Sequence, residues 1–176
     1  MDAPRPIAIR EELPADVAPI RRVIRAAFKN GMEAEIVDRL RAKEAFAVSL
    51  VAVQRGAVVG HVLLTDVTVS GSGLVPRGAG LAPLAVRPTF QRRGIGAALM
   101  RAALERAVQA GYGFVCLLGD PAYYRRFGFR PAAAFGLACE FDAPAEAFMA
   151  IELAPGALAG VSGTVRYLPE FQEVTA

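Results

Sequence analysis

Apolar residues recur along this chain at spacings that separate helices from strands. Val17, Ile20, Val23, Ile24, Ala27 and Phe28 fall three and four apart, which predicts an amphipathic helix. Asp16 stands at its N-cap position, and Pro19 lies in the first turn, where a missing N–H does no harm. Asn30-Gly31 stops it, and a second helix is predicted from about Glu33 to Lys43 with Ile36, Val37 and Leu40 inward. Ile7 to Arg10 alternates as a short strand. The valine-rich runs Ala47 to Gln54 and Ala57 to Val69, split by Arg55-Gly56, predict an antiparallel hairpin. Ser70 to Gly80 is the most glycine-rich stretch and is expected to be a mobile loop.

Leu84 to Val86 is wholly apolar, a buried strand that Pro88 stops. Gly94 and Gly96 open a helix with Ala97, Leu99, Met100, Ala103, Leu104, Ala107 and Val108 on one arc. Arg101, Glu105 and Gln109 make the opposite stripe. Gly111-Tyr112-Gly113 ends that helix, and Phe114 to Leu118 is a second buried strand. A strand–helix–strand unit of this length predicts a parallel, right-handed pair. Asp120-Pro121 starts a short helix through Arg126, ended by Gly128. Ala134 to Phe141 and Ala147 to Leu153 read as another hairpin, and Gly163 to Tyr167 as an edge strand. The order β-α-α-β-β-β-α-β-α-β-β predicts an α/β (α+β) fold with a mixed sheet and helices on both faces.

Composition narrows the classes. The 176 residues fit one domain, 1–176, with 154–176 as a C-terminal extension packed on it, and 54% hydrophobic content supplies a sizeable core. No apolar run is long enough to span a bilayer, so no membrane partner is expected. The opening MDAPRPIAIREELP lacks the apolar core of a secretory signal, and a cytoplasmic location is expected. Cys116 and Cys139 have no metal-type spacing and are expected to be reduced thiols; with one histidine, no metal site is expected. The net charge of +3 is nearly all arginine, which suits anionic ligands but is too small to argue for nucleic acid.

The candidate chemistry lies between the two central strands. A helix's first turn leaves N–H groups without partners and carries partial positive charge. Two glycines strip side chains from that turn here, and Arg92 and Arg93 add full charges, so a phosphate or diphosphate can sit on the backbone. A Walker loop needs Gly-Lys-Ser/Thr, which is missing. Leu99 stands where a dinucleotide fingerprint needs its third glycine. What remains is Q-x-x-G-x-G at Gln91 to Gly96, preceded by V-x-P at Val86 to Pro88. After the second strand comes Gly119-Asp120-Pro121-Ala122-Tyr123-Tyr124-Arg125-Arg126-Phe127-Gly128-Phe129, which holds Y-x-x-x-G-F.

Together these motifs resemble the GCN5-related N-acetyltransferases (GNAT), and their wording is similar to the YhbS-like subgroup. The resemblance implies the acyl-CoA N-acyltransferase fold, a mostly antiparallel mixed sheet with a splayed parallel pair. It implies acetyl-CoA as co-substrate and a primary amine, of a small molecule or a protein, as acceptor in a ternary complex. Backbone groups of Leu84 and Val86 would bond the pantetheine arm, and a freed N–H near Ala85 or Val86 would face the thioester oxygen. Gln91, Arg92, Arg93, Gly94, Ile95, Gly96 and Ala97 would hold the diphosphate. Tyr124 would protonate the departing thiolate, with Tyr123 structural.

Many family members carry a glutamate on the central strand, whereas Ala82, Leu84 and Ala85 hold no carboxylate. The general base therefore stays open among Glu33, Glu35, Asp66, His61 and a water chain. His61, the only histidine, shares a strand face with Val59 and Leu63 and reads as a partly buried residue bonded to backbone. A non-catalytic acyl-CoA-binding or sensing module on the same fold is the alternative. The apolar C-terminal strands also leave room for a homodimer.

Overall fold

Alternating valines draw the second and third strands together, with one register shift between Ala52 and Val53. In the computed structural model, which describes residues 6–173, β2 (Val48–Gln54) pairs antiparallel with β3 (Ala57–Ser72) from Val48↔Leu64 to Gln54↔Ala57. Arg55 and Gly56 both take left-handed backbone, as a tight two-residue hairpin turn requires. β1 (Ala8–Glu11) adds antiparallel to the other edge of β2, Ala8↔Val53 through Glu11↔Leu50.

The chain divides into two compact units. Residues 6–64, 82–103 and 170–173 make the first, with strand order β1-β2-β3-β4, where β4 is Gly78–Val86. Leu50, Val51 and Ala52 are consecutive and fully buried, so both faces of this sheet are covered. A Cβ added at Gly60 would lie 2.9 Å from Leu99 and 3.3 Å from Ile95, which puts α3 (Ile95–Gln109) on the Gly60 face. α1 (Val17–Ala27) buries Ile20, Val23 and Ile24, and α2 (Met32–Ala42) buries Ile36, Val37 and Leu40. The C-terminal α5 (Glu170–Glu173) belongs to this unit, where the buried Glu170 carboxylate meets Lys43 at 2.6 Å.

The second unit, residues 65–81 and 104–169, carries β3 and β4 on into β5 (Phe114–Leu118), β8 (Phe148–Glu152) and β6 (Arg130–Pro131), in that order. β5 (Phe114–Leu118) is the parallel partner of β4, Gly78↔Phe114 to Gly80↔Cys116, as the crossover predicts. After β5 come α4 (Pro121–Tyr124), β6 (Arg130–Pro131), β7 (Leu137–Cys139), β8 (Phe148–Glu152) and β9 (Ser162–Arg166).

Several expectations are corrected here. Residues 70–80 are not one loop: β3 continues to Ser72 because Thr68 to Ser72 pair with β9, and β4 starts at Gly78. The stretches 134–141 and 147–153 do not form a hairpin. β7 pairs parallel with β9, while β8 pairs antiparallel with β5 and β6. β9 is not an edge strand, since β3 and β7 flank it. Val108 is 53% exposed although Ala107 beside it is fully buried, so it lies just outside the helix's buried arc. Asp16 precedes α1 but makes no cap bond into it; its carboxylate accepts Arg10 and the Leu13 N–H.

His61 also departs from expectation. It is fully buried, and its Nε2 lies 2.9 Å from Ser49 Oγ rather than on backbone. The Ser49 hydroxyl donates to Glu12, which accepts two bonds from Arg41 at 2.9 and 3.1 Å. A hydroxyl has one proton, so His61 Nε2 must donate to Ser49, and Nδ1 is left as a bare acceptor. Nδ1 is buried without a partner. Burial holds the imidazole below its ordinary 6.5, hence neutral. Burial pushes the Glu12 carboxyl up, but the imidazole, guanidinium and hydroxyl facing it hold it at about 2.

Both depressed values make acid destabilising: the unfolded chain takes up protons first at histidine, below 6.5, then at glutamate, below 4.5. Glu12→Gln is expected to cost about 2 kcal/mol at pH 7, the weight of hydrogen bonds to a charged group. It should also flatten the loss of stability between pH 4.5 and 2. Denaturant melts across that range check both.

Candidate functional site

β4 runs on to Val86 and β5 to Leu118, yet their parallel pairing stops at Gly80↔Cys116. The Arg87 N–H bonds Val59 O at 2.9 Å, so Arg87 faces β3. Backbone groups alternate in direction along an antiparallel pair. Val86 and Leu84 therefore turn their N–H and C=O away from β3, whereas the Ala85 carbonyl faces Gly60. Gln91, expected among the ligand-holding residues, uses its Nε2 on Val86 O at 3.0 Å. The Val86 N–H and both Leu84 groups remain for a partner. Ala82 and Leu84 are half-buried on the same strand, and Pro83, Ala85 and Val86 are buried.

A 3-10 turn, Pro88–Phe90, carries the chain into the glycine turn. Arg92 adopts φ 59° and Gly94 φ 79°, both left-handed. A non-glycine residue held there stores about 1–3 kcal/mol of strain, a cost that concentrates at functional turns. A Cβ at Gly94 would meet nothing within 4 Å, so the space over the turn is open and glycine is required by the backbone angle. Buried Ile95 anchors the start of α3, and the first bond into the helix is Ala98 N–H to Gly94 O at 3.0 Å. Amides earlier than Ala98 in this turn have no acceptor of that kind. Arg92 and Arg93 are exposed beside it, and the Arg93 guanidinium lies 5.5 Å from the Phe90 ring centre.

In the second unit, Asp120 caps α4 by accepting the Ala122 N–H at 2.9 Å, and Gly128 ends the following 3-10 turn at φ 95°. Tyr124 is half-buried, with its ring edge-on to Tyr123 at 5.0 Å and to Phe129 at 6.0 Å. Burial, and then the neighbouring Tyr123 and Asp120, push its hydroxyl up to about 12, so it is fully protonated near neutrality. A Cβ at Gly119 would fall 2.9 Å from Tyr124 Cδ2 and closer still to Cε2. Gly119 is thus the floor on which this ring lies, a role the motif alone does not reveal.

The four candidate bases differ in what already occupies them. His61 is sealed in the Ser49–Glu12 chain. Asp66 accepts the Tyr112 hydroxyl at 2.7 Å and Arg77 Nε at 3.2 Å. Glu35 pairs with Arg39 one turn on, at 2.6 Å. Glu33 extends the inward stripe of Ile36, Val37 and Leu40, and its Oε2 is buried without a hydrogen-bond partner. Among the described residues, no three His, Cys, Asp or Glu side chains gather as metal ligands, and no helix is long and apolar enough to cross a membrane.

Known proteins share this layout. The acetyltransferase (GNAT) domain family matches residues 8–132. The uncharacterised N-acetyltransferase YhbS of Escherichia coli K12 is 38% identical over 164 residues, 93% of this chain and 97% of YhbS. The crystal structure of E. coli YhbS in complex with CoA superposes with a TM-score of 0.91 at 36% identity, covering 98% of this chain and 95% of that one. A Brucella melitensis GNAT acetyltransferase in complex with acetyl-CoA gives 0.77, also at 36% identity, covering 94% and 97%.

Gly119→Ala is expected to cost about 1–3 kcal/mol by overpacking against the Tyr124 ring. Combining it with Tyr124→Ala should recover most of that loss. Thermal melts of the two single variants and the double variant measure the coupling, and simple additivity would refute the contact.

Proposed function

The chain belongs to the acetyltransferase (GNAT) family, and from that premise we propose that it moves the acetyl group of acetyl-CoA onto a primary amine in a ternary complex. The amine belongs to a small molecule or a protein. The observation that carries the reading is the open turn at Gly94: a Cβ there would meet nothing within 4 Å, and Arg92 and Arg93 are exposed just before it. The CoA and acetyl-CoA complexes of the relatives agree with it. We take 1–176 as one catalytic domain with 154–176 as its extension. A cytoplasmic setting is supported by two cysteines that are both free.

In this reading Arg92 to Ala97 hold the diphosphate, and the outward groups of Leu84 and Val86 bond the pantetheine amides as a neighbouring strand would. Gln91 acts at one remove, by occupying the Val86 carbonyl and leaving the Val86 N–H as the donor for the carbonyl oxygen of the thioester. The amine nitrogen attacks that carbonyl carbon, the C–S bond breaks, and the electron pair leaves on sulfur. Tyr124 stabilises the sulfur as it departs. Glu33 receives the proton lost from the amine. It is chosen over Glu35, Asp66 and His61 because its buried oxygen has no other partner, and an ammonium group would supply one.

Free thiol release from acetyl-CoA across a panel of amines tests the reaction. Release that requires an amine is the expected result. Tight acetyl-CoA binding without release from any amine would favour the sensing module, which the missing β4 carboxylate keeps in view. Tyr124→Phe is expected to lower kcat roughly tenfold to a hundredfold, the weight of one hydrogen bond of about 1.5–3 kcal/mol to a charged sulfur, with acetyl-CoA affinity unchanged. Glu33→Gln should lower kcat comparably, with acetyl-CoA affinity unchanged. An unaltered kcat would return the base role to water.

A further inference from the structure

A cavity of about 410 Å³ lies in the first unit between the N-terminal face of α1 and the β2–β3 turn. Its volume falls in the range of roughly 300–1,000 Å³ that small ligands occupy. Pro19, Val23, Ala57 and Val58 make its apolar wall, and Arg22 and Arg87 are the two cations that line it. We propose that it is a binding site for the phosphate group of a small organic phosphate. The site itself does not depend on the acetyl-transfer reading; only the co-substrate as its phosphate source rests on that reading.

Charge is the first argument. Asp16 is the one acidic residue lining the cavity, and its carboxylate is committed elsewhere. It takes Arg10 through both oxygens at 2.6 and 3.1 Å and the Leu13 N–H at 2.7 Å. Arg10 therefore cancels Asp16, while Arg22 and Arg87 have no acidic partner among the described residues. Two uncompensated guanidinium groups on one cavity match a dianion, which they can grip by paired N–H bonds.

Rigidity is the second. Arg22 precedes Val23, which is 1% exposed and packs α1 onto the sheet. Arg87 is tied to β3 by its own N–H on Val59 O at 2.9 Å. Gly56 leaves the wall of the cavity open, with nothing within 4 Å of the position a Cβ would take. Both cations thus start from fixed backbone positions, which lowers the ordering cost of gripping a ligand.

The phosphate could belong to a separate ligand or be the 3′-phosphate of the co-substrate itself. Inorganic phosphate is titrated at constant ionic strength into the protein saturated with CoA, and again without CoA, with backbone amide NMR as the readout. The expected result is movement of the Gly56, Ala57 and Arg87 amides. Affinity should fall at least tenfold in Arg22→Gln and in Arg87→Gln, and stay the same in Lys29→Gln. A response that survives saturation with CoA identifies a separate ligand. A response lost with CoA, with acetyl-CoA binding tighter than its 3′-dephospho form only while Arg22 is present, identifies the co-substrate's phosphate. Equal phosphate affinity in wild type, Arg22→Gln and Arg87→Gln overturns the proposal.

Discussion

Backbone polarity along the second half of β4 is the constraint from which the rest follows. Every N–H and C=O in a protein needs a partner. β4 loses its parallel neighbour after Gly80 while continuing to Val86. An uncovered strand edge is ordinarily blunted by charge, a bulge or a covering segment. Here a single glutamine covers a single carbonyl, Gln91 on Val86. The remaining groups suit an extended chain carrying amides of its own. Ala82, Leu84 and Ala85 bring no carboxylate to this stretch. Under the proposed function the strand works through its main chain, and acid–base chemistry is assigned to another element.

The same economy governs the charged interior. The only histidine, the residue one would first suspect of proton transfer, is spent inside the first unit. Its Nε2 proton completes a chain through Ser49 to Glu12 and Arg41, joining the end of β1, β2, β3 and α2. Such a chain is worth more as a register device than as a source of stability, because the desolvation of its members offsets much of their attraction. Shifting β2 by one residue against β3 would put Ser49 on the opposite face from His61 and cut the histidine off from Glu12.

The local elements were legible in the sequence, because each carries its own signal. Helical spacing located α1, α2 and α3 to within about two residues, the uncertainty of any helix end. Glycine in left-handed backbone marked the turns at Gly94 and Gly128. The partners of the short late strands were not legible. Leu137 to Cys139 offers too few residues to specify a register, and its pairing with β9 depends on a segment that arrives much later in the chain. Val108 was misassigned for a related reason: a helical wheel shows which side is apolar but not where the opposing surface ends. At the candidate site, motif spacing pointed to Tyr124 and the glycine turn. The support beneath them, Gly119 under the ring and Gln91 on Val86, emerges only when the chain folds back on itself.

The acidity of Tyr124 decides what this residue can do. Its hydroxyl sits near 12, while an ordinary thiol sits near 8.5. Full transfer of the phenolic proton to a free thiolate would therefore run uphill by roughly 4–5 kcal/mol, at about 1.4 kcal/mol per unit. Donating a hydrogen bond to sulfur as charge develops carries no such penalty, and in a partly buried site that bond is stronger than in water. The environment that makes Tyr124 a poor acid thus makes it a dependable donor, protonated throughout the neutral range. In the proposed reaction the tyrosine therefore lowers the barrier as a hydrogen-bond donor to the leaving sulfur, Glu33 takes the amine's proton, and the thiolate draws its own from solvent after release.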